Sequence, residues 1–291
     1  MAKNEEKAIP RFKRAAKQGY AEAQYKLGDS YQFGRAGLKE SIHEAVPWYK
    51  KAACQRHDNA DAQCRIGLLY QSGHGVKQDD AEAARWITKA AEQVVARAQY
   101  SLGAFHVKGS GVMQSKVKAV LWIEKAAEQG FTEAQFHLGT LYTDGWGVAQ
   151  SDVKAAQWYR KAAEQGYATA QCNMGMLHKK GCGVAQSDKQ AAHWFQKAAH
   201  SGLAGAEFNL GALYHVRRGV AQTYSEARNW YLKAAEHGDA AAQFNLGSML
   251  AKGEGVPMNF AEAIRWFKKA AAQGFPQANG ALQLLAQNGY R

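Results

Sequence analysis

Apolar and polar positions recur with a helical period along the chain. The segment TEAQFHLGTLYTDG, residues 132–145, places its apolar residues at helical spacing and ends at a glycine. Glycine adopts the left-handed C-cap conformation at little steric cost. A short G-x-G-V loop follows, and KAAQWYRKAAEQG, residues 154–166, predicts a second helix with Asp or Ser as its N-cap, at Asp152 or at Asp188 in the next copy. Each unit is therefore predicted to contain a helix A and a helix B.

The pattern repeats with a nearly constant period. The glutamine of A-x-A-Q, taken as an anchor, recurs after 39 residues and then five times after 36, at Gln24, Gln63, Gln99, Gln135, Gln171, Glu207 and Gln243. Tryptophan repeats in phase at Trp48, Trp86, Trp122, Trp158, Trp194, Trp230 and Trp266. A single helix pair cannot bury both of its faces, so adjacent pairs must stack. The sequence predicts an all-α repeat array.

The period divides the chain into one solenoid over residues 1–291. The predicted repeats are 21–59, 60–95, 96–131, 132–167, 168–203, 204–239 and 240–275. Residues 1–20 match helix B alone, which indicates either an unusual native cap or the removal of an upstream segment such as an export signal. Residues 276–291 are expected to form a capping helix with Leu282 and Leu285 facing inward.

The motifs between Leu138 and Gly166 carry a family resemblance. They read L-G-x-x-Y, then G-x-G-V, then W-Y-x-K-A-A-E-Q-G. From about Ala8 to Leu285 the chain resembles a Sel1-like repeat protein, a relative of the tetratricopeptide repeats. The resemblance implies a right-handed α-solenoid that binds other proteins, mostly in bacterial signalling, envelope, secretion and host-interaction settings. It implies no common chemistry.

Composition narrows the class of protein. Hydrophobic residues make up 46% and charged residues 21% of a chain with only four prolines, which is typical of a folded protein. No run of about 18 apolar residues exists, and the start lacks the apolar core of a signal peptide. We expect a soluble bacterial protein, cytoplasmic as written, or periplasmic or secreted if an upstream signal has been removed. A monomer is slightly favoured.

The formal charge of +12 admits nucleic acid, an anionic membrane surface or an acidic protein as partner. The basic residues are scattered, which favours an acidic protein partner or a merely soluble surface. The repeat needs its Trp and Tyr residues for the core, so they are unavailable for stacking on bases. An anionic polymer, either nucleic acid or acidic glycan, remains the alternative ligand.

Residues with catalytic or metal-binding potential show no specific pattern. The four cysteines, Cys54, Cys64, Cys172 and Cys182, lack C-x-x-C spacing and are expected to be reduced, mostly packed thiols. No H-E-x-x-H occurs, and His106 and His178 stand at the Tyr position of the repeat, where a packed ring is expected. The G-x-G-V loops lack the Lys-Ser/Thr of a P-loop. We expect a non-enzymatic protein without cofactor or metal, a hydrolase being the least favoured alternative.

Three departures from the repeat carry local predictions. Pro47 lies inside a helix B and should kink it. Val94 replaces the turn glycine, and because a β-branched residue resists the left-handed conformation, the backbone is expected to take another route. Arg217 and Arg218 occupy a loop tip, either as a secondary site for an acidic partner or as drift at a tolerant turn.

Function is expected at outward positions that differ between repeats. Positions −2, +2, +5 and +9 from the anchor share one face of helix A, which lines the concave side of such solenoids. The candidate binding residues are Asn173, Asn209, Asn245, His137, Lys108, Lys180, Lys252, Arg65 and Met176. The three asparagines, flanked by lysines, resemble the clamps by which related tetratricopeptide arrays hold a peptide. Asparagine as a common filler at this position stays an equal alternative.

The resulting hypothesis is a scaffold or adaptor that binds an acidic protein or peptide in its concave groove. Its physiological role is left open between a bacterial regulator, a virulence factor and an immunity protein that neutralises a secreted toxin.

Overall fold

The computed structural model describes residues 2–55, 59–221 and 223–290, with side chains from Pro10 onward, and these residues form sixteen α-helices. They divide into two compact units, Met1–Gln150 and Ser151–Arg291. The first contains α1 Ala2–Lys17, α2 Ala21–Gln32, α3 Ile42–Ala53, α4 Ala60–Ser72, α5 Asp80–Glu92, α6 Ala96–Lys108, α7 Lys116–Glu128 and α8 Thr132–Asp144. The second contains α9 Asp152–Glu164, α10 Ala168–Lys180, α11 Asp188–Ala199, α12 Ala204–Val216, α13 Tyr224–Glu236, α14 Ala240–Lys252, α15 Phe260–Ala272 and α16 Pro276–Gln287. The all-α expectation is confirmed.

Within each unit a helix packs chiefly against its neighbours in sequence. The even-numbered helices from α2 are the predicted A helices, and the odd-numbered ones are the B helices. The glycine of L-G-x-x-Y lets the A and B helices of one repeat approach closely. A Cβ built on Gly175 of α10 would lie 2.6 Å from the Phe195 ring of α11. Gly67 and Gly103 stand equally close to Ile87 and Ile123. Any larger residue here would push the pair apart.

The anchor glutamines form a buried ladder. Gln99 donates from Nε2 to the carbonyl oxygen of Ala91 at 3.1 Å, and its Oε1 accepts from Gln129 Nε2 at 2.6 Å. The same acceptor bond, from a glutamine 30 or 31 residues downstream, reaches Gln24, Gln63 and Gln243. Each bond ties the start of a helix A to the turn after the following helix B. The anchor therefore holds both a repeat and its neighbour.

Two repeats change this ladder. Ser201 stands where the downstream glutamine should be, and the buried Gln171 Oε1 has no hydrogen-bond partner among the described residues. In the next repeat both members change, and His237 Nδ1 donates to the Glu207 carboxylate at 2.8 Å. Glu207 is only 2% exposed. The buried carboxylate of Glu207 therefore keeps a hydrogen-bond donor, because His237 replaces the glutamine that would normally be its partner.

Helix ends follow the predicted chemistry with one correction. Gly145 and Gly181 end their A helices in the left-handed conformation, as expected. The N-caps of α9 and α11 are Ser151 and Ser187, whose hydroxyls accept from the backbone N–H three residues on. The prediction of serine as N-cap is confirmed and that of aspartate was wrong, because Asp152, like Asp188, is the first helical residue. Its carboxylate still interacts favourably with the helix N-terminus.

The prediction for Val94 was also wrong. Its backbone has φ 68°, the left-handed value that the turn glycines of other repeats adopt. Two backbone hydrogen bonds impose it, from Val94 N to Ala91 O and from Val95 N to Ala90 O. Closure of the helix end outweighs the preference of a β-branched residue. The Val94 side chain is consequently 61% exposed.

The other departures are less disruptive. Helix α3 runs through Pro47 as one element, and a kink there stays a prediction. At the far end, Leu285 is buried and Leu282 packs beside it against the core of the second unit. Among the described residues no helix is both long and apolar enough to cross a membrane.

Candidate protein-binding surface

The outward face of the A helices in the second unit carries most of the predicted site residues. Asn173, Asn209 and Asn245 occupy the same position of α10, α12 and α14, and all three are partly exposed. Lys180 and Lys252, at the ends of α10 and α14, are exposed. None of these side chains is sealed between helices. A partner can therefore reach this surface, called the A surface below.

Asn209 has an internal role as well. Its Oδ1 accepts from Lys179 Nζ at 3.1 Å, and its Nδ2 donates to the carbonyl oxygen of Gly205 at 2.7 Å. Lys179, which lies next to the predicted stripe, was not among the candidate residues. Because Asn209 fixes its ammonium group between α10 and α12, Lys179 is a pre-organised cation of this surface.

The other two asparagines differ from Asn209. Asn245 is hydrogen-bonded to the Tyr231 hydroxyl, and this bond opposes the burial that raises the pKa of Tyr231 to about 12. The side chain of Asn173 makes no hydrogen bond within the described part of the chain. Its amide is therefore the free donor and acceptor of the three.

The A surface is basic because its carboxylates are absent or neutralised. The only acidic residue on helices α10, α12 and α14 is Glu207, which is buried and bonded to His237. Glu254, in the loop after α14, lies 2.8 Å from His215 Nε2 and 4.0 Å from Lys252 Nζ. Lys179 and Lys180 have no carboxylate within 4 Å among the described residues. Their charge is available to an external anion.

The candidates of the first unit have a mixed environment. Arg65 lies 3.9 Å from Asp29 and stands over the Phe33 ring at 5.5 Å, so its charge is partly used within the chain. His137 Nδ1 lies 2.6 Å from the Tyr100 hydroxyl. Burial lowers the pKa of His137, with Glu133 opposing it, so the ring is neutral at pH 7. Lys108 is exposed at the end of α6.

The remaining candidates are a methionine of α10 and the two loop arginines. Met176 packs against the buried cluster formed by α11 and α12 and contributes a partly buried apolar side chain to the A surface. Arg217 is exposed and takes the left-handed C-cap of α12, with φ 56°. Arg218 is paired with Asp188, Nε to Oδ2 at 2.9 Å. Of the two loop arginines, Arg217 has no ion-pair partner among the described residues.

One cysteine, Cys64, and two histidines, His106 and His178, are buried in the fold. All four cysteines are free thiols, and burial raises the pKa of Cys64 to about 11. His106 and His178 are packed rings as predicted, each with Nδ1 bonded to a loop carbonyl oxygen. In the part of the chain that the structure describes, no group of three His, Cys, Asp or Glu side chains is placed to hold a metal ion.

A lysine covers every repeated tryptophan, a feature that the sequence analysis missed. In each W-x-x-K segment the Lys Nζ stands 3.8 to 5.1 Å from the indole ring. Such cation–π contacts also let the lysine stem shield an apolar ring. The repeated spacing of three residues on one helix was the signal. Seven of the basic residues are thereby assigned to the B helices.

The Sel1 repeat family model matches residues 21–57, 60–94, 96–131, 132–167, 168–203, 204–239 and 240–275. Two solved structures share the fold. One is a protective antigen present in uropathogenic Escherichia coli strains and displaying an SLR fold, 35% identical with a TM-score of 0.90 over 95% of this chain and 59% of that one. The other is a Sel1 repeat protein from Oxalobacter formigenes, 36% identical with a TM-score of 0.71 over 98% and 82%.

Curated relatives match over shorter segments. Chitin synthase regulatory factor 3 of Schizosaccharomyces pombe is 37% identical over 89 residues, which is 30% of this chain and 9% of that protein. Protein sel-1 homolog 2 of Rattus norvegicus is 35% identical over 85 residues, which is 29% and 12%. The chain thus spans a small fraction of the curated relatives that it matches.

Proposed function

The chain belongs to the Sel1 repeat family, and on that basis we propose that it is a non-enzymatic scaffold that binds another protein through its A surface. Sel1 repeat proteins are typically interaction scaffolds or regulators. Shared residues build the helix pairs, so specificity resides in outward residues that vary between repeats.

The proposed ligand is an extended acidic segment of a partner protein. The observation that carries this proposal is the ammonium of Lys179, fixed by Asn209 on a surface whose helices expose no carboxylate. Lys180 adds a second cation, and Asn173 offers a free amide to the backbone of a bound peptide. Charge complementarity of this kind increases the association rate and orients the ligand.

A peptide-binding measurement tests the proposal. The probe is a fluorescein-labelled peptide in which aspartate alternates with serine, and its affinity is measured by fluorescence anisotropy. We expect Lys179→Met with Lys180→Met to weaken binding at least tenfold. The matched control, Lys189→Met with Lys268→Met, removes two exposed lysines of the B helices α11 and α15 and should change affinity less than twofold. Equal losses in both variants would show that net charge alone attracts the peptide.

A double-mutant cycle separates direct from indirect contacts. Asn209→Ala should weaken binding in the parent protein but have little further effect in Lys179→Met, because Asn209 acts by positioning that lysine. Asn173→Ala should be additive with Lys179→Met. Replacing all three asparagines without any loss of affinity in a folded protein would remove them from the site.

The alternative anionic-polymer ligand is distinguished by salt. Affinity for single-stranded DNA should fall steeply between 50 and 200 mM salt, in line with counterion release, whereas affinity for an acidic peptide should fall less. The physiological role is proposed among three settings: regulation of an envelope or secretion system, virulence, and neutralisation of a secreted toxin. Similarity to a protective antigen of uropathogenic strains supports the second. Pull-down from the source cell with mass spectrometry identifies the partner.

A further inference from the structure

The outer side of helix α7 exposes large apolar residues. Val117 is 71% and Leu121 is 47% exposed, and their spacing of four residues places them on one side of the helix. Met113, in the loop just before α7, is 80% exposed. A row of such residues on a charged protein indicates a contact surface, since isolated exposed apolar residues are otherwise scattered.

The other B helices lack this row. Val117 lies five residues before the repeated tryptophan, Trp122, and Leu121 lies one residue before it. In the other repeats these two positions hold His43 and Pro47, Ala81 and Arg85, Val153 and Gln157, Lys189 and His193, Ser225 and Asn229, and Ala261 and Arg265. Only α7 has a large aliphatic side chain at both. The row is therefore a property of this repeat and is not required by the stack.

An open cavity of about 520 Å³ adjoins the row. Trp122 and Lys125 of α7 line one side, and Ala91 with Val94 at the end of α5 lines the other. Trp122 also packs against the buried cluster beneath, which fixes the floor of the cavity. Leu121 precedes Trp122 and lies one helical turn from Lys125, so the row and the cavity lie side by side on this helix and are treated as one surface. We call it the α7 surface.

The cavity of the α7 surface has two carboxylates at its rim. Glu92 and Glu128 line the cavity, and neither forms an ion pair with a described residue. The one lysine that lines the cavity, Lys125, has its Nζ 4.3 Å from the Trp122 ring and thus covers the indole. Apolar groups in the centre and two free carboxylates at the edge complement a ligand that is apolar along one face and basic beside it.

We propose that the α7 surface binds an amphipathic helix of a partner protein, with its apolar face on Leu121 and Trp122 and a lysine or arginine directed at Glu92 and Glu128. Such helices dock through residues spaced by three and four, which matches the linear row on α7. This surface is separate from the A surface, and its ligand has the opposite charge. The protein would then hold two segments, one acidic and one basic.

The conformation of Val94 agrees with this role. A β-branched side chain in the left-handed region is strained, and here it projects into solvent and packs into no core. Glycine in the same turn of other repeats avoids this strain and contributes no apolar surface. In the bound state the valine would supply one wall of the cavity.

Three synthetic helical peptides test the proposal. The first has a leucine face flanked by lysines, the second has the same leucines flanked by glutamates, and the third has the lysines with serines replacing the leucines. Anisotropy titrations should show the first binding at least tenfold more tightly than either other peptide. Val117→Ser with Leu121→Ser should lower that affinity at least tenfold, and Val153→Ser, an exposed valine at the equivalent position of α9, should leave it unchanged.

Charge reversal completes the test. Glu92→Lys with Glu128→Lys should abolish the preference for the lysine-flanked peptide over the glutamate-flanked one. Lys179→Met, on the A surface, should not affect it, so the two proposals fail independently. Circular dichroism checks that each variant is folded. Equal binding of all three peptides would overturn the proposal, and so would dimers of the parent in sedimentation that Leu121→Ser dissolves, because a second copy would then be the occupant.

Discussion

The anchor position shows how a single side chain determines whether a repeat is fully satisfied. Glutamine serves there because its amide donates to one repeat and accepts from the next. Where Ser201 replaces the downstream partner, Gln171 Oε1 stays buried without a donor. Where Glu207 replaces the anchor, His237 replaces the partner and keeps the contact. In the repeat with Ser201 no second substitution compensates the first, whereas in the next repeat His237 compensates Glu207.

The unsatisfied repeat should be improvable. Ser201→Gln places an amide where five other repeats have one, and it should donate to Gln171 Oε1. A hydrogen bond to a buried acceptor contributes about 0.5–1.5 kcal/mol, so the free energy of unfolding should rise by that amount. Urea titration followed by circular dichroism measures it. Ser201→Ala is the control and should bring no gain.

The compensated repeat should behave as a coupled pair. His237→Ala leaves the carboxylate of Glu207 buried without its donor and should cost about 1–3 kcal/mol. Glu207→Gln combined with His237→Gln recreates the bond of Gln93 to Gln63 and should restore stability to within about 0.5 kcal/mol of the parent. Urea midpoints of the single and double variants decide it. A double variant as unstable as the single one would contradict the role of the ladder.

The positions of surface residues were predictable from the repeat, but their side-chain partners were not. The repeat placed Asn209 on the A surface, but Lys179, its partner from the preceding helix A, lies 30 residues away and outside the predicted stripe. Similarly, Arg218 could be assigned to a loop but not to its pair with Asp188. Such pairs depend on side-chain reach across two helices, which periodicity does not encode.

At the scale of the element, each helix pair is held together by a glycine that permits close contact. The residue Phe195, which follows the repeated tryptophan in α11, fills the space that a Cβ on Gly175 would occupy. The same helices are ended by hydrogen bonds strong enough to hold even Val94 in a left-handed turn. The period and the terminal glycines made the helices predictable from sequence. The Val94 turn was not, because local preference yielded to the helix end.

The glycine contact can be tested against a glycine without it. Gly175→Ala should destabilise the protein by about 1–3 kcal/mol, the usual effect of overpacking. Gly205→Ala, in the first turn of α12 with nothing within 4 Å of its added Cβ, should be neutral or stabilising by up to about 1 kcal/mol. Thermal unfolding compares them. Similar effects of both would show that helix propensity, not contact, dominates.

Reciprocal exchange tests the strained turn. Val94→Gly should raise stability by about 1 kcal/mol, because the left-handed conformation costs an L-residue about that much. Gly130→Val, in the same turn of the next repeat with open space around it, should lower stability by a similar amount. Differential scanning calorimetry measures both. A loss of stability in Val94→Gly would mean that the valine side chain is held by contacts that outweigh its strain.

At the scale of the whole chain, the principal contacts within each unit join helices that are adjacent in sequence. Stability in such arrays is approximately a sum over repeats and their interfaces, so damage should remain local. The family, the helix count and the basic A surface follow from the repeated sequence. The α7 surface does not, because it depends on which two positions of one B helix are exposed and on a cavity beside them.

Hydrogen exchange should reveal this locality. Gly247→Ala, whose Cβ would lie 2.8 Å from the Phe267 ring, should accelerate amide exchange in α14 and α15 most, with the effect declining toward α10. Helices α2 to α6 should keep the protection of the parent protein. Gly28→Ala, 2.7 Å from the Tyr49 ring, should give the opposite profile. Uniform acceleration in either variant would indicate a single cooperative unit.

Because a lysine lies above each repeated tryptophan, a reagent that modifies amino groups would act on every repeat at once. Acylating the seven amino groups removes the same favourable contact, worth about 0.5–1 kcal/mol at an exposed site, from each W-x-x-K segment. A modification too small to notice in one layer is thereby multiplied along the chain, and indole fluorescence would report it. Because the contact is repeated, a minor change to one kind of side chain alters every repeat and so affects the entire protein.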